Sequence, residues 1–469
     1  MRVIGRNIFS LGLSRITSGV ILFFVQAKLA SYLGPHAFGQ FSLVIAFYVI
    51  FSLFVDAGIS KYVIKKVSED KSGAQVYYGN FLLAQFFLGL VVFLFFLIIP
   101  RVLQYDPVVS KAMFVVGIGL FLSAMIQPSL AIIQAWQKIQ IFAWITFVES
   151  LAKATWFLYG ILTGKDLVFI LLIYILVGVF DLLIYGVLTG KIATPKFIFK
   201  RSMIQSMFAF GIPFAMLSGF EILIAKVDSV IQKFFLPYSE IGQYAVAYRF
   251  LDFLTFLPAI VAISLFPYFS AEKDLETADT KAVINKINKI MVALAVPLGV
   301  GVSLFADKII VTLFGDEYLR SIAAFRILIW ATVVTLFYAV PNVIMQVKKT
   351  RAAIYILGAT TAINVLANWI LIPRYGILAS AWLTVASYIL AGLLYSYYSK
   401  KLVKFYLWRF AAWPAAAALV MGLILHQFRD LNIYVLVALA MLIYFGLLFA
   451  AGFLKREDLK FDEIINLNR

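Results

Sequence analysis

IGQYAVAYRFLDFLTFLP, residues 241–258, decides how this chain is read. The stretch is apolar and aromatic over a length that suits a membrane-spanning helix, yet it carries Arg249 and Asp252 about one turn apart. A charge at bilayer depth costs roughly 3 kcal/mol and is tolerated where it faces a partner or a polar interior. Such a helix points to a carrier with a charged interior rather than to a soluble enzyme.

The rest of the chain agrees. Of its 469 residues 63% are hydrophobic and 13% charged, where soluble domains carry about 25% charge. A net charge of +17 raises nucleic acid as a partner. The basic residues, however, sit in connectors between apolar runs rather than on one face of a soluble fold, so no nucleic acid is expected. With no cysteine there is no thiolate metal site, and His36 and His426 read as ordinary loop residues, so no metal or other cofactor is expected. The first apolar stretch runs to Ala30 with Arg15 inside it, which suits a first span better than a cleaved signal.

Runs of about 20 apolar residues predict an all-α, polytopic membrane protein with fourteen transmembrane helices. Spans one and two fall at 8–30 and 38–59, spans five and six at 141–162 and 167–188, and span eight at 241–269. The last pair occupies 407–425 and 433–453. Alternate connectors hold Lys61, Lys65, Lys66 and Lys71, then Lys196, Lys200 and Arg201, then Lys348, Lys349 and Arg351. The opposite connectors are sparse, with Arg101, Lys165 and Lys233 among their few cations. The positive-inside rule then places both termini in the cytoplasm of a cytoplasmic-membrane protein. The longest connector, 270–289, reads as an amphipathic cytoplasmic helix, and Pro128, Pro213, Pro258, Pro297 and Pro341 as bending points within spans.

An internal repeat adds organisation. GQFSLVIAF at 39–47 is similar to GQYAVAYRF at 242–250. Six spans per repeat give both copies the same topology, a parallel duplication. The expected layout is a six-helix bundle over 1–200, a second over 201–402 around a central cavity, and two further helices with a tail over 403–469.

YLGPHAFGQFSLVIAF with FVDAGIS, then KVDSVIQKFF with EIGQYAVAYRFLDFLTFLP, LFGDEYLRSIAAFRIL and YGILASAWLTVASY, occur in consistent order along most of the chain. This series resembles the oligosaccharide and polysaccharide flippases of the Wzx (O-antigen) type, in the multidrug, oligosaccharidyl-lipid and polysaccharide exporter superfamily. The resemblance implies a carrier that moves polyprenyl-pyrophosphate-linked glycan across the membrane by alternating access, coupled to H+ or Na+, working beside glycosyltransferases and a glycan polymerase.

Arg15 and Arg249 both reach the middle third of a hydrocarbon core of roughly 30 Å, and arginine's planar fork suits phosphate oxygens. With the resemblance, they become the expected pyrophosphate ligands, pairing across the cavity. Lys153 and Lys28 are further candidates, Lys28 and Arg326 lying nearer helix ends where a long side chain reaches the interface. Glu149 stands four residues before Lys153, the spacing of a helix-face ion pair. For ion coupling or gating the candidates are Asp252, Glu149, Asp181, Glu221 and Asp56; Asp181 shows no local partner, and Asp228 falls near a predicted helix end. Tyr244 and Tyr248 are candidate sugar contacts. A multidrug or metabolite exporter of the same fold and a lipid II flippase remain alternatives. A membrane glycan polymerase or ligase is disfavoured, because no nucleophile–base set or large outer loop is present.

Overall fold

The computed structural model describes residues 2–455 and 458, apart from the side chains of residues 2–16, 139, 407 and 408. The side chain of Arg15 therefore lies outside the described residues. Among the described residues the chain is helical, with no β-strand. It divides into two compact units, Met1–Ala245 and Val246–Arg469.

The first unit contains α1 (Arg2–Asp56), α2 (Ile59–Glu69), α3 (Ala74–Val102), α4 (Pro107–Ala135), α5 (Ile139–Leu162), the short α6 (Leu167–Leu171), α7 (Ile173–Gly190) and α8 (Arg201–Phe235), and it ends within α9 (Tyr238–Leu254). The second unit continues through α10 (Phe256–Ala271), α11 (Ala278–Phe314), α12 (Ser321–Phe337), α13 (Ala339–Lys348), α14 (Thr350–Tyr375), α15 (Ile377–Ser399), α16 (Ala412–Gln427) and α17 (Ile433–Ala450).

Among the described residues eleven helical segments are long and apolar enough to cross a membrane, or twelve when the bent pair α12–α13 counts as one span. The first segment, Thr17–Glu69, has 53 residues, about 80 Å of helix against a hydrocarbon core of roughly 30 Å. It is broken at Gly34, whose φ of 69° and ψ of 171° are not helical, immediately before Pro35. α16 has 16 residues, about 24 Å. The expected fourteen is reached only by counting the bent pair as a span, dividing the first segment at Gly34 and adding α16.

Helix ends follow local chemistry. Asp106 caps α4 by accepting from Val109 N at 2.8 Å, with Pro107 at the first helical position. Asp166 does the same for α6 through Phe169 N at 2.9 Å. Between α1 and α2 the chain turns through Ala57 and Gly58, at φ 46° and 72°. Asp56 closes this turn by accepting from Ser60 N at 3.2 Å and Ser60 Oγ at 2.9 Å.

Two expectations are corrected. The 270–289 connector is not a separate helix. α10 runs to Ala271, residues 272–277 form a turn stabilised by Asp274 accepting from Glu276 N at 2.9 Å, and Thr277 caps a helix that continues unbroken into the next span. Of the prolines, Pro258 and Pro341 stand in the first turn after a break, at Thr255 and Tyr338, and the second break bends the chain by 53°. Pro128 and Pro213 lie inside unbroken helices, and the irregularity of α11 falls at Phe305 rather than at Pro297.

Inside the first unit the GQ pairs at 39–40 and 242–243 come close. A Cβ on Gly39 would stand 1.8 Å from Tyr238 O, and one on Gly242 would stand 2.0 Å from Pro35 O. Each glycine thus admits the backbone one turn ahead of the other, and Gln40 and Gln243 beside them are both buried. A second backbone contact joins Gly58 to Gly211 of α8, where a Cβ would fall 2.3 Å from the Gly211 carbonyl oxygen. Apolar packing fills the rest. Ile59, Val63, Val67 and Phe81 gather with Met207 in the first unit, and Leu265, Phe269, Ile284 and Val340 in the second.

Candidate functional site

The first unit encloses a cluster of charge. On α5, Lys153 Nζ lies 3.6 Å from Glu149 Oε2, the helix-face pair expected from the spacing. Asp181 of α7, 7% exposed, lies close enough to both for their charges to act on it. The sequence offers Asp181 no partner because its neighbours arrive from another helix. Two phenols complete the surroundings: Tyr48 of α1, beside Ser123 of α4, and Tyr185 of α7, 2% exposed. Asp181 Oδ1 and Tyr185 Oη are buried without a hydrogen-bond partner. With both carboxyls ionised, two acids facing one ammonium would carry one negative charge in excess in a medium of low dielectric. One added proton or one monovalent cation brings such a cluster to neutrality.

The second unit holds Arg249 and Asp252 on α9, with Arg249 Nη1 at 3.8 Å from Asp252 Oδ2. The arginine side chain is 14% exposed and its partner 33%. Being three residues apart, the two stay on one helix face, so a competing anion can take the guanidinium while Asp252 remains beside it. Breaking such a contact at partial exposure costs far less than stripping a fully buried pair.

The other candidates fall elsewhere. Tyr244 is fully buried and donates its hydroxyl to the carboxylate of Asp228, which is itself 1% exposed; Tyr248 is 6% exposed. Asp228 is therefore the buried acceptor of a neighbouring helix rather than a residue at a helix end. Asp56 serves the turn between α1 and α2. Glu221 and Lys28 lie on exposed faces of α8 and α1. Arg326 is half-exposed, 3.8 Å from Asp307, which also takes Arg429 at 2.6 Å and so ties the turn after α16 to α11.

One polar seam escaped the sequence reading. In the second unit Asn364 Nδ2 donates to Ser387 Oγ at 2.9 Å, joining α14 to α15. Asn368 Nδ2 donates to Asn364 Oδ1 at 3.1 Å, and Asn368 Oδ1 is buried without a partner. The signal was present as two asparagines four residues apart in an apolar run, but attention to charge passes over neutral amides. Among the described residues no three histidine or acidic side chains gather as a metal site would require.

Comparison with known proteins places this architecture. A family profile described as "Polysaccharide biosynthesis protein" matches residues 4–273. The chain is 28% identical over 271 residues to "Probable flippase AglR" of Haloferax volcanii, covering 53% of this chain and 54% of that protein. It is 25% identical over 229 residues to "Probable low-salt glycan biosynthesis flippase Agl15" of the same organism, covering 47% and 48%. The chain thus spans about half the length of these curated relatives. Among solved structures, "Lipid II flippase MurJ, inward closed conformation" superposes with a TM-score of 0.77 over 97% of this chain and 99% of that one. At 12% identity that likeness shows the fold alone. An all-helical membrane fold shared with a flippase, together with a profile match over more than half its length, establishes that this chain belongs to the polysaccharide biosynthesis protein family of membrane transporters.

Proposed function

We propose that the chain flips a polyprenyl-pyrophosphate-linked oligosaccharide from the cytoplasmic to the outer leaflet by alternating access, with Arg249 as a ligand of the pyrophosphate. The observation that carries this reading is the Arg249–Asp252 pair, a guanidinium largely withdrawn from solvent inside a span and held at 3.8 Å by an acid on its own helix. A phosphate oxygen offers the guanidinium a stronger, bidentate partner. The name of Agl15, a glycan biosynthesis flippase, supports a glycan-linked substrate, and that of AglR supports flipping. The Glu149–Lys153–Asp181 cluster, two acids to one ammonium, is the seat of ion coupling in this reading, with H+ or Na+ as the counter-ion.

The test is assembly of surface glycan in cells whose own flippase is deleted. Arg249→Ala is expected to abolish assembly with normal protein levels in the membrane, and Arg249→Lys to retain part of it. Arg15→Ala, the second cation assigned by the sequence, is scored beside them. Full assembly by Arg249→Ala would refute the ligand role. Drug efflux by the wild-type chain in glycan-deficient cells would point instead to an exporter.

A further inference from the structure

The turn between α3 and α4, the end of α8 and the start of α9 line an open cavity of about 560 Å³ in the first unit, within the roughly 300–1,000 Å³ typical of small-molecule sites. It lies on the face that the basic-residue asymmetry assigns to the outside. The Glu149–Lys153–Asp181 cluster contributes nothing to its lining.

Its chemistry is specific. Lys233, in the last turn of α8, holds its ammonium 4.1 Å from the centre of the Tyr238 ring and, among the described residues, makes no ion pair. Tyr238 is 7% exposed, its ring is held edge-on by His36, and its hydroxyl lies beside the Asp106 backbone without a well-formed hydrogen bond. Tyr105 Oη is buried with no partner, and burial pushes this phenol up to about 12, so it remains a protonated donor at working pH. One ammonium and two phenols therefore line a single cavity as donors.

Asp106 supplies the opposite character. Its Oδ1 accepts from Val109 N and its Oδ2 from Gln40 Nε2, both at 2.8 Å, so the carboxylate is fixed and keeps lone pairs for hydroxyl donors. The turn is held by Gln104 in a left-handed backbone, φ 51°, a conformation disfavoured by roughly 1–2 kcal/mol for a residue with a Cβ. Strain of this kind concentrates at ligand sites. A lone inorganic anion would use the donors and be repelled by Asp106. A ligand that joins one carboxylate to several hydroxyls uses both sets.

We infer that this cavity is a subsite for an acidic sugar residue of the hexuronate class, its carboxylate taken by Lys233, Tyr105 and Tyr238 and its hydroxyls by Asp106 and Gln104. The sugar assignment rests on the flippase reading. The cavity would receive the headgroup on the outer face, after it has crossed.

The experiment uses the purified full-length chain in detergent and measures binding of methyl glucuronide, methyl glucoside and inorganic phosphate by saturation-transfer NMR. Methyl glucuronide is expected to bind about tenfold more tightly than methyl glucoside, as a charge-assisted contact allows. Lys233→Gln should abolish that preference and Lys233→Arg should keep it. Tyr105→Phe, which leaves the cavity shape in place, should weaken methyl glucuronide several-fold. Thermal unfolding matched to wild type secures that each variant is folded. Equal binding of the two glycosides, or an unchanged preference in folded Lys233→Gln, overturns the site. Phosphate displacing methyl glucuronide at equal concentration overturns the sugar assignment. Preferential glucuronide binding through Lys233 in a chain that moves no lipid-linked glycan would support the subsite and remove the transport reading.

Discussion

Replacing Gly39 by alanine tests the close approach of the Gly39 and Gly242 segments most directly, because two effects of opposite sign compete and the distances decide between them. Alanine is favoured over glycine inside a helix by about 1 kcal/mol. Against that gain, the new Cβ would stand 1.8 Å from Tyr238 O and within 3.0 Å of Gly242 N. Both are backbone atoms that no rotamer change can move, so the helices must part by more than an ångström. Overpacking of this kind costs about 1–3 kcal/mol and sometimes more, and parting the backbones also opens the contacts around Gln40 and Gln243. Gly39→Ala should therefore destabilise the chain by about 2 kcal/mol or more, and Gly242→Ala by a similar amount. The double variant should lose well under the sum, since one separation relieves both clashes. Gly186 and Gly446 meet nothing within 4 Å, and alanine at either should raise stability by about 0.5–1 kcal/mol. Thermal unfolding of the purified variants in one detergent gives the ranking. Gly39→Ala unfolding at or above the temperature of Gly186→Ala would refute the contact.

Lys153→Met leaves Glu149 and Asp181 facing each other without a cation and should cost about 3–5 kcal/mol; adding Glu149→Gln should restore a large part, and a double variant no more stable than Lys153→Met would show that the three do not act together. Tyr244→Phe removes the donor to buried Asp228 and should lower stability by about 1–3 kcal/mol, read by the same unfolding measurement. Glu276 is held below the ordinary glutamate range, first by the Lys281 ammonium and then by the Lys404 backbone N–H at 2.9 Å. Because the folded state makes this carboxyl the stronger acid, its stabilising contribution is present above the ordinary glutamate value and lost as pH falls through the lowered one. The protection factors of the amides across 272–277, exchange being referred to its intrinsic rate at each pH, should fall on acidification through that window in the wild type and stay level in Glu276→Gln.

Much of this architecture was legible in the sequence because the bilayer imposes a length and a polarity on each crossing. Charges inside spans were legible for the same reason, and the Glu149–Lys153 and Arg249–Asp252 pairs followed from helical spacing alone. Partners from other helices were not. Nothing local tells Asp181 that α5 will bring Glu149 and Lys153 to it, or joins Asp228 on α8 to Tyr244 on α9. Helix breaks were half legible. Pro258 and Pro341 mark them, whereas Pro297 sits in continuous helix, and the irregularity at Phe305 carries no residue that would announce it. The amide seam at Asn364 and Asn368 had a readable spacing, but its importance comes from burial, which the apolar run did not disclose.

The touching glycines also bear on how freely this chain can change. Two packed helices ordinarily absorb a substitution in either one, because side chains at the contact can shift. Where Gly39 and Gly242 meet there are no such side chains, only the carbonyl oxygens of Tyr238 and Pro35 and the amide nitrogens of the two glycines. A larger residue in either segment is felt at once by the other. The GQ pairs at 39–40 and 242–243 thus stand at a place where neither segment has room to vary alone.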